Sequence, residues 1–285
     1  MPLDQHDLIF CVNMAPQLPL LERLTAARKA GYAGISVLRH EHAELHASGV
    51  SDAELRQRVA DEGMAVAELD GLAVWLPHHE PPASFPKEMA ELLRGNTPEA
   101  LVPIAAAMGA RSITAIEFFG TQVDVGPATE AFAKLCDLAA EHGVLVHLEF
   151  LPWGGIPNLR SGWEIVRQAD RANGGLLIDS WHLFRGGSTL SELSAIPGDR
   201  IMGVQLNDAP KQPQADLAEE TQHCRLLPGD GSFDLEGLIR TLDKIGSRAP
   251  LGVEVLSDDL LTQPIEDVAR TTFEATSRIL QRARS

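Results

Sequence analysis

The sequence predicts an α/β fold, a (β/α)8 TIM barrel in a single domain, on three observations. The chain has 285 residues, of which 44% are hydrophobic, and this is enough to bury a sizeable core. Eight short runs rich in Val, Ile and Leu recur along it. A segment with helical spacing follows each run, and this alternation is typical of a parallel barrel. A doubly wound open sheet is the alternative with the same alternation.

The eight apolar runs are interpreted as strands of a parallel sheet. Apolar residues occupy both faces of each run, as they do in strands that are buried on both sides. The predicted strands cover residues 8–12, 33–38, 64–69, 112–118, 144–150, 175–180, 201–206 and 251–256.

The intervening segments are interpreted as the helices of the barrel. Four of them end in glycine just before the next strand, at Gly31, Gly63, Gly143 and Gly246, where a helix C-cap is expected. The predicted helices cover residues 18–31, 51–63, 97–110, 128–143, 158–174, 188–196, 234–246 and 265–283.

The domain organisation predicted from the sequence is one domain, residues 1–285, because no composition shift or internal repeat divides the chain. Two connections, 71–96 and 207–233, exceed the usual loop length of about two to six residues. They follow the third and seventh predicted strands, so they are expected at the catalytic face of the barrel.

The charge balance limits the partners that the protein can have. The chain has 24 basic and 40 acidic residues, a formal net charge of -16, and no block rich in Lys or Arg. A phosphate-binding face needs clustered positive charge. We therefore expect a small-molecule substrate and neither nucleic acid nor a membrane as partner, and a homodimer is compatible with the sequence.

The amino terminus, the lack of a long apolar stretch and the cysteines predict a cytoplasmic protein. The amino terminus lacks a basic segment followed by a long apolar run, and no apolar stretch approaches the roughly 20 residues that span a bilayer. Cys11, Cys136 and Cys224 are widely spaced and odd in number, which argues against a disulfide framework.

Each of the last four predicted strands closes with an oxygen-bearing side chain: Glu149, Asp179, Gln205 and Glu254. Adjacent barrel strands would bring these groups to one rim. Three carboxylates buried together raise one another's pKa unless a cation compensates their charge. An all-oxygen set suits Mn²⁺ or Mg²⁺ better than Zn²⁺. A single acid at a strand end has another role open to it, which is to cap the following helix.

These residues resemble a known family. The stretch "VHLEF" (146–150) and the D-x-x-H pattern of Asp179 and His182 are similar to the xylose isomerase-like TIM barrel superfamily of sugar phosphate isomerases and epimerases. The resemblance covers nearly the whole chain. It implies one divalent ion with the ligands Glu149, Asp179, Gln205 and Glu254. From the oxygen ligands we expect Mn²⁺ first, with Mg²⁺, Co²⁺ or Zn²⁺ as alternatives. Many epimerases of the family have His where this chain has Gln205, and some dehydratases have Gln. Asp208 is expected to lie next to the metal ligands without binding the ion itself.

The resemblance implies catalytic roles for Glu149 and Glu254 as base and acid, and for His182 beside the substrate. A divalent ion on a carbonyl and its neighbouring hydroxyl stabilises the charge of an enolate. The prediction is a metal-dependent isomerase or epimerase acting on a sugar, keto-polyol or related hydroxy-ketone. Its alternative is a lyase, similar to 3-dehydroshikimate or inosose dehydratase or acting on a keto-glycoside. A non-catalytic ligand-binding protein is the third hypothesis.

Four side chains are predicted to contact the substrate. The segment "RLLPGDG" resembles the family's R-x-x-P-G-x-G turn, whose Arg contacts substrate oxygens, and this points to Arg225. His223, Trp153 and Arg185 are predicted because they lie in segments that follow strands. His78 and His79, in the loop after the third strand, are weaker candidates for the entrance of the site.

Overall fold

The computed structural model describes residues 2–77 and 79–285. Within these residues eight parallel strands pair in chain order and close into a barrel, which confirms the predicted fold. The strands are β1 (Leu8–Phe10), β2 (Gly34–Leu38), β3 (Ala65–Leu72), β4 (Ser112–Ile116), β5 (Leu145–Glu149), β6 (Gly174–Asp179), β7 (Ile201–Leu206) and β8 (Leu251–Val253).

The described residues form thirteen α-helices, which include the eight predicted ones and five short additional ones. Two segments, Val12–Met14 and Gly198–Arg200, are 3-10 helices. The α-helices are α1 (Leu20–Ala30), α2 (Arg39–Ala47), α3 (Asp52–Asp61), α4 (Lys87–Arg94), α5 (Pro98–Met108), α6 (Val125–Glu141), α7 (Leu159–Ala169), α8 (Ser180–Arg185), α9 (Leu190–Leu193), α10 (Leu217–His223), α11 (Leu235–Ile245), α12 (Asp258–Leu261) and α13 (Ile265–Arg284).

The additional helices α2, α4, α8, α10 and α12 either follow a strand closely or lie in the long connections. Residues 71–96 contain α4 and residues 207–233 contain α10, so the two long loops are partly helical. The four glycines predicted as C-caps all have positive φ, from 68° at Gly63 to 111° at Gly31. Gly31 and Gly246 are C-caps, whereas Gly63 and Gly143 each follow the C-cap by one residue.

The strand register sets the positions of the polar groups at the end of the barrel. Asp179 pairs with Gln205 across β6 and β7, and Gln205 pairs with Gly252 across β7 and β8. Because neighbouring strands are about 4.8 Å apart, their terminal side chains share one rim. Among the described residues, no helix combines the length and the apolar character needed to cross a membrane.

A buried ion pair joins α1 to the start of α2. The side chains of Arg23 and Glu41 are 0% and 5% exposed and form a short contact. Glu41 also accepts a hydrogen bond from the backbone N–H of Leu38 at 2.7 Å, and Arg23 donates to the carbonyl of Leu18 at 3.2 Å. The pair therefore fixes the chain where it leaves β2.

We expect Glu41→Ala to lower the free energy of unfolding by about 3–5 kcal/mol, because it leaves the Arg23 guanidinium buried without a counter-ion. Urea denaturation measures this change. The matched control is Glu62→Ala, since Glu62 pairs with Arg28 at 2.7 Å while their side chains are 38% and 53% exposed. The control should cost about 0–1 kcal/mol. Equal losses in the two variants would contradict this account of the buried pair.

Candidate active site

A cavity of about 280 Å³ opens where the barrel strands end. Its polar lining includes Asn13, Asp70, Glu149, His182, Thr221, Gln222, Arg225 and Glu254. A larger cavity of about 430 Å³ is lined by α5, α6 and the loop after β3, and its charged groups are Glu99, Glu130 and Lys134. Since the strand-end carboxylates line the smaller cavity, we place the site there.

The four predicted metal ligands are all buried at this rim. Glu149 and Asp179 end β5 and β6, Gln205 lies in β7, and Glu254 follows β8 directly. Gln205 Nε2 is 3.3 Å from Glu254 Oε1. Glu149, Asp179 and His182 each offer a ligand atom, and these atoms lie within 4.8 Å of one another. The structure thus brings the predicted residues together.

Arg225 lies among these carboxylates. Its Nη1 donates to Asp179 Oδ2 at 2.9 Å and to Glu254 Oε2 at 3.1 Å. Its Nε and Nη2 donate to Thr221, which fixes the plane of the guanidinium. The residue is 3% exposed and lines the cavity, so it can reach both the acidic cluster and a bound molecule.

The cluster carries more negative charge than Arg225 compensates. Burial raises the pKa of Glu149 well above its usual range, and the charge of Asp179 adds to this effect. Burial also raises the pKa of Glu254 to about 8, although Arg225 opposes the change. The pKa of Asp70 rises to about 7 through burial and the nearby Glu68. Either protons or another cation must balance these groups.

His182 is held as a neutral imidazole next to Glu149. Burial lowers its pKa to about 4, and its Nε2 lies 3.3 Å from Glu149 Oε1. Asp179 Oδ1 accepts the backbone N–H groups of Trp181 and His182, and so caps α8. The ring of Trp153 meets the His182 ring edge-on at 5.5 Å and lines the cavity. A neutral imidazole in this position can accept or relay a proton.

One buried acceptor in the cluster is free. Gln205 Oε1 has no hydrogen-bond partner among the residues that the structure describes, whereas Gln205 Nε2 faces Glu254. An unpaired buried carbonyl oxygen is costly unless a donor or a cation uses its lone pairs. The oxygen therefore fits the ligand set that a divalent ion requires.

Several polar residues of the site were missed in the sequence, among them Asn13, Asp70 and Asn207. Asn13 donates to Asp70 Oδ2 at 2.8 Å and to Glu254 Oε1 at 3.1 Å. Asn207 donates to Asp179 Oδ2 at 3.0 Å. Asp70 follows the third predicted strand directly. It lies at a strand end like the four predicted metal ligands, and this position could have identified it. Asn13 and Asn207 have no such pattern of their own.

The structure does not bring Arg185 and His223 to this cavity. Arg185 binds the buried Glu220 at 2.7 Å and the carbonyl of Pro210, while the exposed His223 lies 2.9 Å from Asp258 Oδ1. A nearby carboxylate therefore holds each of the two side chains elsewhere. His79 does not line the cavity either, and His78 lies outside the described residues.

Asp208 shapes the R-x-x-P-G-x-G turn and takes no part in the acidic cluster. Its carboxylate accepts backbone N–H groups from Ala209, Gly229 and Phe233. A Cβ at Gly231 would lie 2.3 Å from Asp208 Oδ1, which explains the glycine there. Asp208 thus supports the loop that carries Arg225 into the site.

The raised pKa of Glu254 predicts how the stability of the metal-free protein depends on pH. The pKa rises from 4.5 to about 8, so between these values the folded protein binds more protons than the unfolded chain. The free energy of unfolding must then fall as pH rises through this range. Urea denaturation at several pH values should show the decrease, and a smaller one in Glu254→Gln. Identical slopes in the two proteins would contradict the assignment.

The fold and this cavity define a TIM-barrel protein with an acidic site at the carboxyl ends of its strands. The model of the xylose isomerase-like TIM barrel family matches residues 24–279. The chain therefore belongs to that family, as the sequence motifs predicted.

Two curated relatives are enzymes. The chain is 30% identical over 261 residues to 3-dehydroshikimate dehydratase of Pseudomonas aeruginosa. The matched segment covers 90% of this chain and 39% of the dehydratase. The chain thus spans about two fifths of that relative. It is 29% identical over 157 residues to inosose isomerase of Bacillus licheniformis, which covers 54% of this chain and 55% of the isomerase.

A solved structure shares the fold. The structure of the IolI protein with a bound zinc atom superposes with a TM-score of 0.83 at 20% identity, over 97% of this chain and 98% of the other. At this identity the likeness concerns the fold alone.

Proposed function

We propose that this protein is a divalent-metal-dependent enzyme that removes the proton next to the carbonyl group of a hydroxy-ketone, such as a sugar or keto-polyol. The observation that carries the proposal is the uncompensated acidic cluster. Glu149, Asp179 and Glu254 are buried around one cationic side chain, Arg225, and Gln205 Oε1 is left without a partner.

Glu149, Asp179, Gln205 and Glu254 are the residues that would hold the ion. Three carboxylates and an amide oxygen favour Mn²⁺ or Mg²⁺, and Mn²⁺ is our first choice. When bound, the ion supplies positive charge where negative charge develops on the substrate's carbonyl oxygen. Arg225 and Asn13 line the cavity with N–H donors, so both are placed to orient substrate oxygens.

Glu149 and Glu254 are the proton-transfer groups of the proposal. Both line the cavity, so each can reach a bound substrate to accept or donate a proton. Glu149 accepts the proton from the substrate carbon, and the neutral His182 beside it exchanges that proton onward. Glu254, on the other side of the site, acts as the acid that donates a proton to the substrate. The Trp153 ring packs against the edge of the His182 ring and borders the site.

Two outcomes follow from the same first step. If the proton returns to the substrate, the protein is an isomerase or epimerase, the class that the sequence motifs favour. If a β-hydroxyl group leaves instead, it is a lyase. The 30% identity to 3-dehydroshikimate dehydratase over 90% of the chain supports this second candidate.

The test is incubation of the Mn²⁺-loaded protein in deuterated water with ketoses, inososes and 3-dehydroshikimate. Mass spectrometry and NMR then follow deuterium at the carbon next to the carbonyl group. Deuterium uptake without loss of water identifies an isomerase or epimerase, whereas loss of water identifies a lyase.

Glu149→Gln and Glu254→Gln should each slow the reaction by at least about 100-fold, the effect of losing a general acid or base, and leave the fold intact. Circular dichroism checks the fold. Glu164→Gln is the matched control, because Glu164 is an exposed residue of α7, and it should keep wild-type rates. Near-normal turnover in both active-site variants would contradict the proposed roles of Glu149 and Glu254.

A further inference from the structure

A second group of possible metal ligands lies outside the barrel cavity. His42 and His46 are four residues apart on α2, so their rings share one face of the helix. Asp52 is the first residue of α3. The Nε2 atoms of His42 and His46 lie 2.8 Å and 2.7 Å from the same atom, Asp52 Oδ1. None of the three residues lines the candidate active site.

The three groups converge on one point and are open to solvent. The ring centroids of the two histidines are 4.2 Å apart, and one ligand atom from each of the three residues lies within 4.8 Å of the others. The side chains of His42, His46 and Asp52 are 19%, 46% and 33% exposed. An ion can therefore reach the cluster without any movement of the backbone.

The scaffold beneath the cluster is fixed by packing. Leu45 is buried in the core side of α2, and Leu55 and Val59 are buried in α3. The turn between the helices is closed by the backbone N–H of Val50, which donates to the carbonyl of Leu45 at 2.9 Å. Rigid helices hold ligand atoms in place better than a loop does.

We propose that His42, His46 and Asp52 form a second metal site, which binds Zn²⁺ or a similar first-row transition ion through two imidazoles and one carboxylate. Water fills the fourth position of such a tetrahedral site. Bonds of about 2.0–2.1 Å keep the ligand atoms of a tetrahedral zinc about 3.3 Å apart, so each Nε2–Oδ1 distance would open by about 0.5 Å. Rotation of the exposed His46 and Asp52 side chains can provide this change.

The ligand types distinguish this site from the one in the barrel. Two imidazole nitrogens favour Zn²⁺, Cu²⁺ or Ni²⁺ over Mn²⁺ and Mg²⁺, whereas the oxygen-rich cluster around Asp179 favours the harder ions. The site ties the end of α2 to the start of α3, so its ion is expected to stabilise this pair of helices. Zn²⁺ binding at this site does not depend on the proposed reaction.

The experiment is isothermal titration of chelator-treated protein with ZnCl₂, combined with thermal unfolding. We expect the wild type to bind one more Zn²⁺ per chain than the double variant His42→Ala/His46→Ala. The rise in Tm that Zn²⁺ causes should also be smaller in the double variant. His40→Ala is the matched control, because His40 is an exposed residue of α2 outside the cluster, and it should behave as the wild type.

Asp52→Asn tests the site with a smaller change. The amide keeps the shape of the side chain and loses its charge, so this variant should retain the wild-type circular dichroism spectrum and bind the additional Zn²⁺ more weakly. Equal Zn²⁺ stoichiometry and affinity in the wild type, the double variant and Asp52→Asn would overturn the proposal. The three residues would then form only a hydrogen-bonded cluster between the helices.

Discussion

The burial of three carboxylates around a single guanidinium is the constraint on which the rest of the site depends. Glu149, Asp179 and Glu254 are removed from water at the ends of three strands, and Arg225 contacts two of them. Removing an ion from water costs several kcal/mol, and the attraction of one cation cannot offset this desolvation cost for three anions. The strand ladder fixes the backbone of these residues, and either protons or a divalent ion must balance the charge that remains.

The surrounding loops serve to hold Arg225 in that position. The backbone N–H of Arg225 donates to the carbonyl of Leu256 at 3.0 Å, and that of Leu226 donates to the carbonyl of Asp208 at 2.8 Å. Thr221 orients the guanidinium, and Asp208 closes the following turn. The segments after β7 and β8 therefore together hold Arg225. A change in either segment would alter the contacts of Arg225 with Asp179 and Glu254.

Most of the barrel could be predicted because its local patterns are strong. Continuous apolar runs marked the strands, and glycines such as Gly31 and Gly246 marked the helix ends. The strand-end acids could also be placed, since parallel strands bring their carboxyl ends to one rim. The roles of Arg185 and His223 could not be judged in this way, because Glu220 and Asp258 hold these side chains through contacts between distant segments. The cluster at His42 depends on the turn between two helices, one of which was not predicted.

The most direct test of the central claim is Mn²⁺ binding to chelator-treated protein, followed by electron paramagnetic resonance and thermal unfolding. The account predicts one tightly bound Mn²⁺ per chain, and a stabilisation of about 2.7 kcal/mol when free Mn²⁺ is 100 times its Kd. Asp179→Asn should lose this binding, although the amide oxygen can still cap α8. Absence of Mn²⁺ binding by the wild type, or binding that is unchanged in Asp179→Asn, would contradict the claim that the acidic cluster is a metal site.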